Sequence, residues 1–303
     1  MKKILLITFI IILIPLFILN VFTAVNKGKF HTVVSKVIRV KDVEKNKVIE
    51  VSFEDYIKGV LAGEMPASFE LEALKAQAVA ARSYVLVQMK KNKNEKYDVV
   101  NTVDNQVYLT DDLLKEKWKD DYSLKMDKIQ KAVNETSGEY LSYNNEVAEA
   151  LFFSTSIGKT ENSEDVFSSK VPYLRSVSSS WDESSPVFTD IIVLSLKDFY
   201  YKLGLEYNDI LKIDVLEKTG TGRIKKIKIN NSEFAGRDVV KKLSLRSNYF
   251  EISKDKENIS IKTKGYGHGV GMSQYGAQGM AKEGYTYDKI LKHYYVGTEI
   301  KKI

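Results

Sequence analysis

Gly63, Glu64, Met65 and Pro66 set a carboxyl group at a break between two helical patterns, beside the apolar residues Leu61, Ala62 and Met65. Such neighbours desolvate a carboxylate, which raises its pKa and keeps a proton available for donation, as a glycosidic leaving oxygen requires. Taken alone, a glutamate at a helix boundary is more often an ordinary capping or surface residue. Lys75 and Arg82 lie seven apart on one helical face. They could hold the hydroxyl or carboxylate groups of a substrate, or simply pair with carboxylates on a solvated face.

A second candidate is the glycine-rich stretch from Gly265 to Gly276, which carries Tyr266, His268, Gln274 and Tyr275. Its glycines do not follow the phosphate-cradling spacings, and Ser273 lacks the glycine two residues later that a nucleophile elbow needs. What remains is a tight backbone bearing polar and aromatic groups, suited to one wall of a site for a sugar-like ligand. A structural turn with a satisfied histidine reads the same way. His31, His268 and His293 are scattered and form no helical His-Glu-x-x-His pair, and the chain has no cysteine. Thiolate zinc sites, disulfides and a cysteine nucleophile are excluded, and no metal or other cofactor is expected.

The elements that must position these groups follow from periodicity and breakers. Residues 31–40 and 47–53 read as strands about a polar turn, 54–62 as a short helix ended by Pro66, and 69–91 as a long alanine-rich helix. Residues 98–109 suggest short strands, and 112–133 an amphipathic helix. Residues 140–143 and 147–153 flank Asn144 and Asn145 as a hairpin, with a serine-rich loop over 154–170. Residues 190–260 change texture, with helices near 196–203 and 236–243 and strands near 210–216 and 223–229. A final helix covers 287–295. The class is α+β: a mixed helix/strand catalytic core with a long central helix and a smaller inserted α/β subdomain. The expected division is 1–27 as cytoplasmic tip and membrane anchor, 28–189 as the first part of the core, 190–260 as the inserted subdomain and 261–303 as the closing segment.

The 303 residues suffice for one large domain or two ordinary ones, and 44% hydrophobic with 28% charged residues excludes a mainly disordered chain. Residues 4–25 contain no charge and are long enough to cross a hydrocarbon core at about 1.5 Å per residue. The run is longer than the apolar part of a signal peptide, and Phe22, Thr23 and Ala24 make a poor cleavage site. An uncleaved anchor is therefore expected, with Lys2 and Lys3 in the cytoplasm, giving a single-pass membrane protein whose body is extracytoplasmic. The net charge of +6 suits a polyanionic partner but is too diffuse for a nucleic-acid binder.

Gly59, Gly63, Glu64 and Pro66, followed by Lys75, Gln77, Ala80, Arg82 and Tyr84, make a long ordered pattern. It resembles the signature of stage II sporulation protein D and its LytB-like relatives. Residues 154–167, then Pro172, Tyr173 and Arg175, and the stretch 265–277 agree with it; residues 234–250 agree more weakly. The resemblance implies a membrane-anchored peptidoglycan lytic transglycosylase acting in forespore engulfment, on the mother-cell engulfing membrane. Glu64 matches the catalytic glutamate, which would cleave between N-acetylmuramic acid and N-acetylglucosamine and leave a 1,6-anhydro end.

Lys75, Arg82, Ser154, Thr155, Tyr266, His268, Gln274 and Tyr275 are the substrate-binding residues so implied. The implied partners are glycan strands stripped of stem peptides, a sporulation amidase and a membrane scaffold, with no nucleic acid. The alternative is a noncatalytic wall-binding protein that localises or stimulates a peptidoglycan amidase. Some relatives carry zinc ligands in the Ser-Thr block, where this chain has Phe153 and Ser156; its loop must be held by its own hydrogen bonds.

Overall fold

The computed structural model describes residues Val37–Ile303. Strands β1 (Val37–Asp42) and β2 (Lys47–Ser52) form an antiparallel hairpin. Ser52 then caps α1 (Phe53–Glu64), its hydroxyl accepting from the Asp55 N–H, with Glu54 and Asp55 at the positive end of the helix. The helix stops at Glu64 because the residue before a proline is driven out of the helical region: Met65 has φ −120° and ψ 144°.

The long helix α2 (Leu71–Lys91) is central because its small side chains let neighbours pack on both sides. Leu74, Ala78, Ala81 and Val85 join Tyr56, Val60 and Leu61 of α1 in one core, whereas Ala73, Ala76, Val79 and Ala80 join a second core. Strand β3 (Val99–Val100) runs parallel to β1. The rest of the expected strand region, through Leu109, is irregular apart from its turns. The single helix expected over 112–133 is two, α3 (Asp111–Trp118) and α4 (Tyr122–Glu135). They are separated by a one-turn 3-10 segment that begins at Lys119, whose φ is 48°.

Strands β4 (Glu139–Tyr143) and β5 (Glu146–Val147) form the hairpin expected at Asn144 and Asn145, both left-handed. The pairing ends early, and β6 (Phe152–Phe153) instead lies parallel to Met272–Ser273 from the far end of the chain. A short helix, α5 (Ser163–Val166), follows.

The chain then enters the smaller α/β subdomain. It comprises β7 (Thr189–Ser195), α6 (Leu196–Leu203), β8 (Ile213–Lys218), β9 (Ile224–Ile229), β10 (Ser232–Ala235), α7 (Gly236–Leu243), β11 (Phe250–Asp255) and β12 (Asn258–Lys264). Two antiparallel sheets, ordered β10-β9-β8 and β11-β12-β7, close with the helices over a third core that includes Phe199, Leu203, Ile227, Val239 and Ile261. The chain returns through β13 (Met272–Ser273), α8 (Gln274–Lys282), α9 (Tyr287–Tyr294) and β14 (Glu299–Lys302), the last pairing with β4. The fold is α+β.

One expectation is corrected. No helix among the described residues is long and apolar enough to cross a membrane. Helix α2 has the length, but Glu72, Lys75, Arg82, Lys90 and Lys91 interrupt it. The transmembrane helix and single-pass localisation are therefore set aside, and the stretch 4–25 on which they rested lies outside the described residues.

Arg82 and Lys75 of α2 are paired with carboxylates of the protein itself. Arg82 is fully buried. Its Nε and Nη2 grip both carboxylate oxygens of Glu54 at 2.8–3.1 Å, while Nη2 also donates to the Val133 carbonyl and Nη1 to Thr136 Oγ1. Lys75 bridges Glu72 and Glu135 at 2.7 and 2.5 Å. Breaking a buried, fully bonded pair by deleting one partner costs about 3–5 kcal/mol. Arg82→Ala should accordingly lower the unfolding free energy by that order in denaturant titrations, and Lys75→Ala, at a half-exposed network, by far less.

Candidate functional site

A cavity of about 790 Å³ opens beside the C-terminal end of α1, a volume typical of small-molecule sites. Glu64 and Tyr84 face it from α1 and α2, Asp104 and Asn105 from the segment after β3, and Glu149, Phe152, Phe153 and Ser154 from the strand leading through β6. Phe167, Val171, Tyr266, His268 and Gln274 complete the wall, and none of the lining residues is a lysine or arginine.

The position of Glu64 is set by two glycines one turn apart on α1. A Cβ on Gly59 would lie 2.6 Å from the Leu109 carbonyl oxygen, and one on Gly63 would lie 2.3 Å from that of Val107. Only glycine admits backbone that close. The segment 107–109 therefore lies directly on the helix, and the Val107 N–H donates to Glu64 Oε1 at 2.7 Å. Burial nevertheless raises the Glu64 pKa above the ordinary carboxyl value, against the Val107 N–H and the Gln274 amide, which both favour the charged form. The location at the negative end of α1, with no basic residue in its last turn, works in the same direction. Gln274 does not reach Glu64 closely enough to satisfy its own Nε2, which is buried without a hydrogen-bond partner. That donor is free for a ligand oxygen. Tyr84 stands nearby, its hydroxyl accepting from Asn105 Nδ2 at 3.0 Å.

The opposite wall is the glycine-rich segment. Backbone bonds in both directions tie Tyr266 to Thr155, leaving the Tyr266 ring about half exposed at the rim, 5.7 Å from the Arg246 guanidinium. His268 lies against Phe153 and Phe167, with ring centroids 5.6 and 5.7 Å away. Burial, reinforced by the Arg223 charge, lowers its pKa to about 4. At neutral pH it is a neutral imidazole whose Nδ1 accepts from the Val270 N–H at 3.1 Å, which leaves the proton on Nε2.

Of the residues singled out in the sequence, Glu64, Ser154, Tyr266, His268 and Gln274 meet in this cavity. Thr155 is buried behind it on Ser185, and Tyr275 packs edge-on against Phe69 at 5.0 Å. Lys75 and Arg82 are not among its lining residues. Tyr84, Asn105, Glu149 and Phe167 line it as well; Tyr84 and Phe167 carry a signal in the sequence, since both fall in stretches that agree with the quoted signature. The Ser-Thr loop is held by a buried carboxylate. Asp182 accepts from the Ser156 N–H at 3.0 Å and from the hydroxyls of Ser156, Ser179 and Ser273 at 2.5–2.7 Å.

The pattern of the SpoIID stage II sporulation protein family matches residues 41–143. Stage II sporulation protein D of Bacillus subtilis (strain 168) is 42% identical over 263 residues, covering 85% of this chain and 77% of the relative. The chain belongs to the stage II sporulation protein D family. Membership gives it a family-level role in sporulation. The Bacillus amyloliquefaciens stage II sporulation protein D is 41% identical over 262 residues, covering 85% of this chain and 76% of the relative. The amidase enhancer of Bacillus subtilis (strain 168) is 33% identical over 301 residues, covering 80% of this chain but 40% of the relative. In this family member, Glu64, Tyr84 and the glycines at 59 and 63 all fall inside the matched stretch.

Overpacking a close backbone contact typically costs about 1–3 kcal/mol. Gly63→Ala should destabilise the protein by that amount in thermal unfolding. By pushing away the Val107 N–H it should also move the Glu64 carboxyl, followed by carbon-13 NMR, to a still higher pKa.

Proposed function

We propose that the protein is a lytic transglycosylase that cleaves peptidoglycan glycan strands between N-acetylmuramic acid and N-acetylglucosamine during engulfment in sporulation. The observation that carries this reading is the desolvated carboxyl of Glu64 in a cavity walled mainly by aromatic, aliphatic and neutral polar groups. The protonated carboxyl gives its proton to the glycosidic oxygen as that oxygen leaves C1 of the muramic residue. The resulting carboxylate takes the proton of the muramic C6 hydroxyl as its oxygen bonds to C1, closing the 1,6-anhydro ring and restoring the acid.

One carboxyl group suffices for this sequence, whereas hydrolysis through water uses a pair. The other carboxylates on the wall are otherwise engaged or exposed. Glu149 Oε1 accepts from Gln88 and Lys91 at 3.0 and 2.8 Å, and Asp104 sits exposed at the rim. Phe152, Phe153, Phe167 and Tyr266 give the wall aromatic faces of the kind that suit sugar rings.

The similarity to an amidase enhancer supports a second reading, a wall-binding protein that localises or stimulates an amidase without cutting glycan. Glu64→Gln separates the two. Glutamine keeps the acceptor for the Val107 N–H, so the fold should persist, while release of soluble fragments from peptide-free glycan strands should fall about 10²–10⁴-fold, the worth of general acid–base catalysis. Fragment release that survives the substitution removes Glu64 from the chemistry, and strand binding with no release by the unaltered protein favours the second reading.

The pH dependence has a definite sign. Activity should hold while Glu64 is protonated and fall as pH rises through its raised pKa. Stability should follow the same course, because a carboxyl whose folded pKa lies above its unfolded value contributes stability that is lost over that range. Glu64→Gln should match the unaltered protein in acid and exceed it at neutral pH in thermal unfolding.

A further inference from the structure

Arg223 leaves the α/β subdomain at the start of β9 and buries its guanidinium completely, against loops of the core. Nη1 donates to the Gly267 carbonyl at 2.9 Å and to Asn248 Oδ1 at 3.1 Å, and Nε lies 3.3 Å from Glu161 Oε1. Glu161, also fully buried, uses its own backbone N–H to hold the Gly269 carbonyl at 2.7 Å, and its carboxylate accepts from the Thr221 hydroxyl. The carbonyls on both sides of His268 are thus fixed by the two members of one ion pair. The fit leaves no slack: a Cβ on Gly269 would lie 2.9 Å from both Arg223 Nη2 and Glu161 Cγ.

The pair is poorly explained by stability. Glu161 Oε2 and Arg223 Nη2 are buried without hydrogen-bond partners. Burial pushes the Glu161 carboxyl up and the Arg223 guanidinium down, so desolvation outweighs their mutual attraction. Well-packed apolar residues of similar size often replace such a pair at little or no loss. What apolar residues cannot do is hold two carbonyls at fixed points.

We propose that Arg223, with Glu161, is a positioning residue through which the α/β subdomain holds the Tyr266–His268 wall of the cavity in place. The subdomain contributes no side chain to the cavity lining; besides this clamp it touches the segment at Arg246, whose carbonyl accepts from the Gly267 N–H at 2.9 Å and whose guanidinium lies over the Tyr266 ring. The kinetic arm of the test rests on the glycan reading of the cavity, and the spectroscopic arm does not.

Two variants of the full chain separate positioning from simple structural support. Arg223→Met combined with Glu161→Leu keeps volume and removes both charges; its thermal midpoint should stay near that of the unaltered protein. Arg223→Lys keeps the charge and loses the planar fork, and it supplies the answer where the double variant does not fold. In both, the nitrogen-15 resonances of His268 should shift and broaden. KM for peptide-free glycan strands should rise about tenfold, the worth of one charge-assisted hydrogen bond, with a smaller change in kcat. In the double variant, which also loses the Arg223 charge, the His268 pKa should rise.

Unchanged His268 resonances in a folded variant overturn the proposal. So does an equal fall of kcat and thermal midpoint with KM unchanged, which marks general loss of structure. If the unaltered protein cuts no glycan, the proposed function fails, and the His268 resonances still decide the clamp.

Discussion

Residues 107–109 can lie directly on α1 only because positions 59 and 63 carry no side chain, and that contact determines the electrostatics of the cavity. It delivers one backbone N–H to Glu64 and excludes water from that side of the carboxyl. Pro66 supplies the complementary constraint by ending the helix at Glu64, where the helix dipole disfavours negative charge. A carboxyl with one neutral donor and no cation beside it retains its proton to higher pH than an exposed one. Two glycines and a proline thus convert an ordinary helix terminus into an acid facing a cavity.

The rest of the core holds that terminus still. Helix α2 separates two apolar cores, and its alanines let α1, α4, β4 and α8 approach closely. Arg82 ties the start of α1 to the end of α4 through Glu54, Val133 and Thr136. Across the cavity, Asp182 gathers the serines at 156, 179 and 273, tying the Ser-Thr loop and the start of α8 into one piece. Ser154, behind which that piece lies, and Gln274, on it, both face the cavity.

Local signals were legible and closures over distance were not. The break at Pro66, the alanine run of α2 and the Asn144–Asn145 turn are set by the residues themselves, and the structure follows them. The helix over 112–133 kept its period in sequence, yet Lys119 breaks it, allowing α4 to return Ile129, Ala132 and Val133 to the first core. Strand β7 pairs with β12 through partners more than fifty residues apart in the chain, which no local pattern discloses. A helix face in sequence does not say which elements will cover it, so the acidic partners of Lys75 and Arg82, Glu135 and Glu54, well separated in the chain, are not legible there. Glu149 enters the site through a chain closure with no short-range signature.

Family membership places the chain in sporulation, and the chemistry proposed for it rests on a single carboxyl group, Glu64. The most direct measurement is the mass of the fragments released from peptide-free glycan strands. Ends lighter by one water, as a 1,6-anhydro ring requires, are the predicted result with the unaltered protein, and they should vanish with Glu64→Gln. Fragments with hydrated reducing ends, or anhydro ends that persist in the Glu64→Gln protein, would contradict an intramolecular transfer driven by Glu64.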